Sequence, residues 1–211
     1  MRAEQPTTGL RHRKQLAAMR RIQEVALGLF DERGYGSVAI EQIAEASEVS
    51  PSSVYRYFGT KEQLVLWKEF DPVIAERLQG ELDTAPPLVA ARRVMMGVMA
   101  EMVGDERSIQ RRIRHIMSDP GLEAAFARQM YVVSQKVGEI FADRLRRPAE
   151  DLEVQVLSHA IVGALQGGLH HWHGSGFRTP LVTVWERTLD LFEAGLAVGT
   201  GDPMSGSSSA R

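Results

Sequence analysis

Cysteine is absent from the 211-residue chain, which excludes disulfide scaffolds, thiolate metal sites, iron–sulfur clusters and cysteine nucleophiles. A reducing compartment suits such a chain. No apolar run approaches the roughly 20 residues that span a bilayer, so no membrane contact is expected. Residues Met1 to Gln15 are polar and basic, without the apolar stretch of a secretory signal, which predicts a cytoplasmic protein. No alternating apolar pattern of useful length occurs, so strands are not expected. Gly-x-Ser-x-Gly, His-Glu-x-x-His and Walker A motifs are missing as well, and Gly34-Tyr35-Gly36 joins two helical patterns rather than a strand to a helix. These absences argue against an enzyme and leave only one of helical fold with an unfamiliar site. No catalytic residue and no cofactor is expected. With 44% hydrophobic and 25% charged residues, the rest reads as an ordinary globular chain able to bury a core.

Charge of one sign is scarce overall, at a net −2, but not locally. Arg2, Arg11, Arg13, Lys14, Arg20 and Arg21 face the single acid Glu4 before residue 24, leaving an acidic remainder. A basic end on an acidic body suits local contact with phosphate, with a plain solvated tail as the alternative.

Helical periodicity dominates. Ile22, Ala26, Leu29 and Phe30 recur at three- and four-residue steps and predict a helix over about 13–32, stopped by Gly34 and Gly36. A second helix is expected over 38–46, burying Ile40, Ile43 and Ala44. Ser50 and Pro51 supply an N-cap and a proline at the first helical position for a third helix over 51–58. Thr60 with Gln63 reads as a capping box opening a fourth helix over 61–82. Beyond Ala85-Pro86-Pro87 further helices are expected over 88–103, 106–117, 120–147, 149–173 and 180–198. The reading is all-α, about nine helices: a DNA-binding helix-turn-helix domain over 10–60, a ligand-binding and dimerisation domain over 61–198, and a disordered glycine- and serine-rich tail over 199–211.

Two helices joined by a short turn, the second small and polar outside, form the arrangement that lays a recognition helix in the major groove of double-stranded DNA. The third helix keeps Val54 and Phe58 inward. Ser50, Ser52, Ser53, Tyr55, Arg56 and Tyr57 are its candidate DNA contacts, with Lys61 on a flanking phosphate. Hydroxyls suit phosphate oxygens, and Arg56 suits a guanine edge or the backbone.

In order and spacing, Ala26-Leu27-Gly28-Leu29-Phe30 before Gly34-Tyr35, then Ile43-Ala44, Val49-Ser50, Val54-Tyr55-Arg56-Tyr57-Phe58 and Lys61-Glu62-Gln63-Leu64, resemble the DNA-binding domain of the TetR (tetracycline repressor) family. The resemblance implies a homodimeric repressor, released from a palindromic operator by a small molecule. A ligand-independent regulator or an activator of the same fold is the alternative. Two positions depart from the family pattern. Ala39 replaces a threonine that meets phosphate, and Glu48 stands where the turn carries glycine, forcing either a left-handed backbone or an altered turn.

The family's dimer interface uses its last two long helices. Here the first of these carries Ala160, Ala164 and Gly168 at four-residue steps, with Gly163 and Gly167 as a second small pair; the other carries Trp185, Leu189 and Phe192 along one stripe. These predict the dimer face, with packing inside one chain as the alternative. Met95, Met99 and Met102 from the fifth helix and Phe126, Met130 and Tyr131 from the seventh are candidate linings for a largely apolar ligand, unless they are plain core. His159, Gln166 and His170 share a face of the eighth helix and would add polar groups to that cavity. His170 and His173 share a face too, but no carboxylate lies near them in sequence, so no metal is expected.

Overall fold

A computed structural model describes residues 7–67, 71–101 and 106–195. Ten α-helices and one 3₁₀ turn are found among the described residues, and no strand. The head comprises α1 (Thr7–Arg33), a 3₁₀ turn (Tyr35–Ser37), α2 (Ile40–Ala46), α3 (Pro51–Phe58) and α4 (Lys61–Leu66). The body comprises α5 (Asp71–Leu82), α6 (Pro87–Glu101), α7 (Glu106–Ser118), α8 (Pro120–Leu145), α9 (Leu152–Gly174) and α10 (Leu181–Glu193). The tail over 199–211 and Met102 lie outside the described residues.

Local chemistry explains these boundaries. On α1, Met19, Ile22, Ala26 and Phe30 form a buried stripe, and Gly34 at φ +81° ends the helix. Ser50 Oγ accepts from the Ser53 amide at 3.2 Å to start α3, and Gly59 at φ +75° stops it. Asp119 caps α8 through the Leu122 amide at 3.0 Å. In the α2–α3 turn Glu48 takes the left-handed backbone, at φ +55°. A left-handed non-glycine residue costs about 1 kcal/mol. Glu48→Gly is therefore expected to raise unfolding free energy by up to about 1 kcal/mol, read as a higher midpoint in urea. Ala39 caps α2 with no side-chain acceptor; only the reciprocal half of a capping box remains, the Ala39 amide donating to Gln42 Oε1 at 2.8 Å.

The fourth helix of the sequence reading is divided. Trp67 leaves the helical region at φ −61°, ψ 132°, so α4 ends there and α5 starts anew at Asp71. The physical reason is visible at the Trp67 carbonyl. It accepts from Gln23 Nε2 of α1 at 3.0 Å and from Arg112 Nη1 of α7 at 2.9 Å. Side-chain donors have taken the place of the helical amide.

The head is also fastened to the body beside this point. On α7, Arg111 reaches Glu24 of α1 at 2.5 Å and Asp31 of α1 at 2.8 Å, and His115 Nε2 lies 2.8 Å from the same Asp31. Helix α4 packs on α1 and on α7 and α8, so it belongs to both halves. Among the described residues no helix is long and apolar enough to cross a membrane.

Candidate nucleic-acid interface and ligand cavity

Helix α3 presents its polar face outward. Val54 and Phe58 are buried against the core of the head, while Ser52, Tyr55 and Arg56 are exposed and Ser53 and Tyr57 half-buried. Half of Tyr55's surface, 50%, is accessible, a large aromatic left in solvent beside a cation. The Arg56 guanidinium lies 4.9 Å above the Tyr57 ring and donates to Ser53 Oγ at 3.3 Å, which restrains a normally mobile side chain. Ser50 Oγ serves as the helix cap and lies 2.9 Å from the hydroxyls of both Ser52 and Ser53. The cluster thus aims donors and acceptors outward from a rigid turn.

Lys61 is placed differently from the other candidates. Its ammonium donates to the Tyr35 carbonyl at 2.5 Å and lies 4.2 Å from the Tyr35 ring centre, so it ties α4 to the 3₁₀ turn. Burial lowers its pKa from the usual lysine value, opposed by the charges of Asp119 and Glu62.

Below α4 lies a cavity of about 80 Å³ walled almost wholly by apolar side chains. Helix α4 contributes Val65 and Leu66; α6 contributes Met95, Val98 and Met99; α7 contributes Ile109, Arg112, Ile113 and Ile116. Phe126 of α8, Leu169 of α9, and Leu181 and Trp185 of α10 complete it with Ile74 of α5. Sites for drug-sized molecules measure roughly 300–1,000 Å³, several times this volume.

Of the expected lining, Met95, Met99 and Phe126 are present. Met130 packs against the core without reaching the cavity, and Tyr131 is 60% exposed on the outside of α8. His159 is used in the α8–α9 seam: its Nδ1 lies 2.9 Å from the Gln155 carbonyl and its ring 5.9 Å from that of Tyr131. Gln166 and His170 are not among the cavity walls, and His170 faces solvent. The missed wall is α7, whose buried row Ile109, Arg112, Ile113 and Ile116 holds one cation at an apolar position. That misfit in the hydrophobic stripe was the available signal.

The expected dimer residues divide into two sets. Gly168, Trp185 and Leu189 are buried inside the chain. A Cβ on Gly168 would stand 3.2 Å from Trp185 and 3.0 Å from Thr188, so this glycine permits the close α9–α10 crossing. Ala160, Ala164 and Phe192 remain partly exposed. Gly163 and Gly167 face open space, with no neighbour within 4 Å of a Cβ built there. Leu152 and Val156, at 72% and 57% exposure, stand on α9 as well, with Leu191 exposed on α10.

Residues 22–66 match the family of bacterial regulatory proteins named tetR, and residues 85–197 match the MftR C-terminal domain. The chain belongs to the TetR family. It is a DNA-binding transcriptional regulator and not an enzyme. It is 26% identical over 156 residues to MftR of Mycobacterium tuberculosis, assigned to regulation of mycofactocin biosynthesis, covering 72% of this chain and 77% of that one. It is 31% identical over 148 residues to the regulator TcmR of Streptomyces glaucescens, 64% of each chain. The Thermus thermophilus FadR repressor, solved with lauroyl-CoA, superposes with a TM-score of 0.55 at 19% identity, over 90% of this chain and all of FadR. This TetR-family regulator joins a small helical head to a larger helical body.

Proposed function

We propose that this TetR-family regulator is a cytoplasmic homodimeric repressor that leaves a palindromic operator when a small, largely apolar molecule enters the cavity beneath α4. The observation that carries the reading is the identity of the cavity wall. Val65 and Leu66 belong to the helix that directly follows the recognition helix α3. Expanding a cavity of about 80 Å³ to ligand size therefore moves the element to which the reading helix is attached. Ligand and operator then favour different spacings of two recognition helices, and each weakens the other's binding by the same factor. FadR, of the same fold, was solved with lauroyl-CoA, whose acyl chain alone is of the apolar chemistry this cavity suits.

The dimer face proposed for the body is the outer side of α9 and α10. Exposed Leu152, Val156 and Leu191 flank Gly163 and Gly167, whose open space admits the close approach of a second helix. Ala160, Ala164 and Phe192 border it, whereas Gly168, Trp185 and Leu189 support it from behind. A dimer places two copies of α3 about 34–36 Å apart, one turn of duplex.

The test is a gel shift with the DNA upstream of the regulator's own coding sequence, followed by titration of apolar metabolites into the complex. Retardation at dimer stoichiometry and release by one compound class are expected. Binding that no compound disturbs would remove induced release and leave a ligand-independent regulator.

A further inference from the structure

We propose that the N-terminal turns of α1 form a second phosphate-binding face beside α3, gripping the DNA backbone that flanks the bases read by the recognition helix. The proposal rests on α3 being the reading helix, and its α1 residues Lys14 and Gln15 precede the matched span 22–66. The tetR-family match begins at residue 22, whereas α1 begins at Thr7. Arg13, Lys14 and Gln15 are all exposed, and Met19 is the first fully buried side chain among those described on α1. Exposed polar side chains at 13–15 bury nothing in the core of the head.

They nevertheless converge with the recognition helix. Lys14 and Gln15 of α1 and Arg56 and Tyr57 of α3 line one open cleft of about 550 Å³. Two cations, an amide and a phenol thus line the cleft, and no acid is among its lining residues. Stacking on Tyr57 at 4.9 Å holds the Arg56 guanidinium on its wall. A phosphodiester fits this chemistry: one negative charge, several acceptor oxygens and no need for base identity. Net charge makes the local site matter. At −2 overall the chain has no bulk attraction to DNA, so phosphate binding depends on where its cations are gathered.

The salt dependence of DNA binding reads this directly, since log K falls with log[salt] by about 0.9 for each phosphate neutralised. Fluorescence anisotropy on the labelled upstream fragment and on unrelated duplex, across a salt series, would compare the native protein with Lys14→Ala, Lys14→Arg and Arg56→Ala. Lys14→Ala is expected to flatten the slope by about 1.8 for a dimer and to weaken both DNAs by the same factor, on the order of tenfold at low salt. Lys14→Arg should restore the slope, and thermal melting should be unchanged for every variant. An unchanged slope in Lys14→Ala while Arg56→Ala loses operator binding would overturn the second face and leave the recognition helix intact. If Arg56→Ala also binds as well as the native protein, the reading of α3 fails with it.

Discussion

Arg56→Ala and Tyr55→Ala are each expected to lower operator affinity at least tenfold without lowering the melting temperature. Both side chains point away from the core, so truncation removes little packing, and exposed substitutions of this kind stay within about 0.5 kcal/mol of native stability. A well-placed arginine contact to a base pair contributes about 1–3 kcal/mol, and a dimer loses two copies of it. The two variants should also differ in kind. Loss of Arg56 removes a cation and flattens the salt slope, whereas loss of Tyr55 removes only polar and apolar contact and leaves the slope near its native value. Anisotropy titrations at several salt concentrations separate these outcomes. Native affinity in both variants would mean that α3 is not the reading helix.

The second large effect is expected where the head meets the cavity. Gln23 is buried and donates to the Leu64 carbonyl at 2.9 Å and to the Trp67 carbonyl at 3.0 Å. Gln23→Leu removes both donors while keeping similar bulk, leaving the Leu64 carbonyl without that donor. Each buried group stripped of its partner costs about 1–3 kcal/mol, so Gln23→Leu should destabilise the chain by about 2–4 kcal/mol. Arg112→Met removes the other donor to Trp67 and should cost about 1.5–3 kcal/mol, since that bond comes from a charged group. Because the two donors share one acceptor, the double variant should depart from additivity by 0.5 kcal/mol or more in a urea-denaturation cycle. Additive costs would show that the Trp67 carbonyl does not couple α1 to α7. The same coupling makes Arg112→Met a sensitive probe of regulation, as that residue lines the cavity and bonds the end of α4 at once.

Much of the head was legible before any coordinates. Ser50, Pro51 and Gly59 are local signals, acting through a hydroxyl, a fixed φ and a freely rotating backbone, and they bounded α3 at the residues observed. Of the two alternatives that the family resemblance implied for Glu48, the left-handed one is adopted. The body was legible in helix order but not in contacts. Tyr131 and His159 share the periodicity of true cavity residues, and periodicity cannot say which neighbour lies across a face. Met95 and Met99 stand on the cavity wall, the first half-buried and the second buried. Arg112 was missed because a cation in an apolar stripe reads as solvent-facing until a carbonyl is found to receive it.

Composition and local pattern by themselves determined the class of this protein: helical, free of thiol chemistry, basic at one end, with a short helix, polar outside, held by caps at both ends. These properties act over a few residues, through hydrogen bonds to nearby amides and the periodicity of burial. Tertiary structure alone decided that Trp67 would break the fourth helix, that Gly168 would serve the chain's own core, and that α7 would wall the cavity. Each depends on a partner far along the chain: Gln23 is 44 residues and Arg112 45 residues from the carbonyl they share. The carbonyl that caps the end of α4 is held by these distant donors.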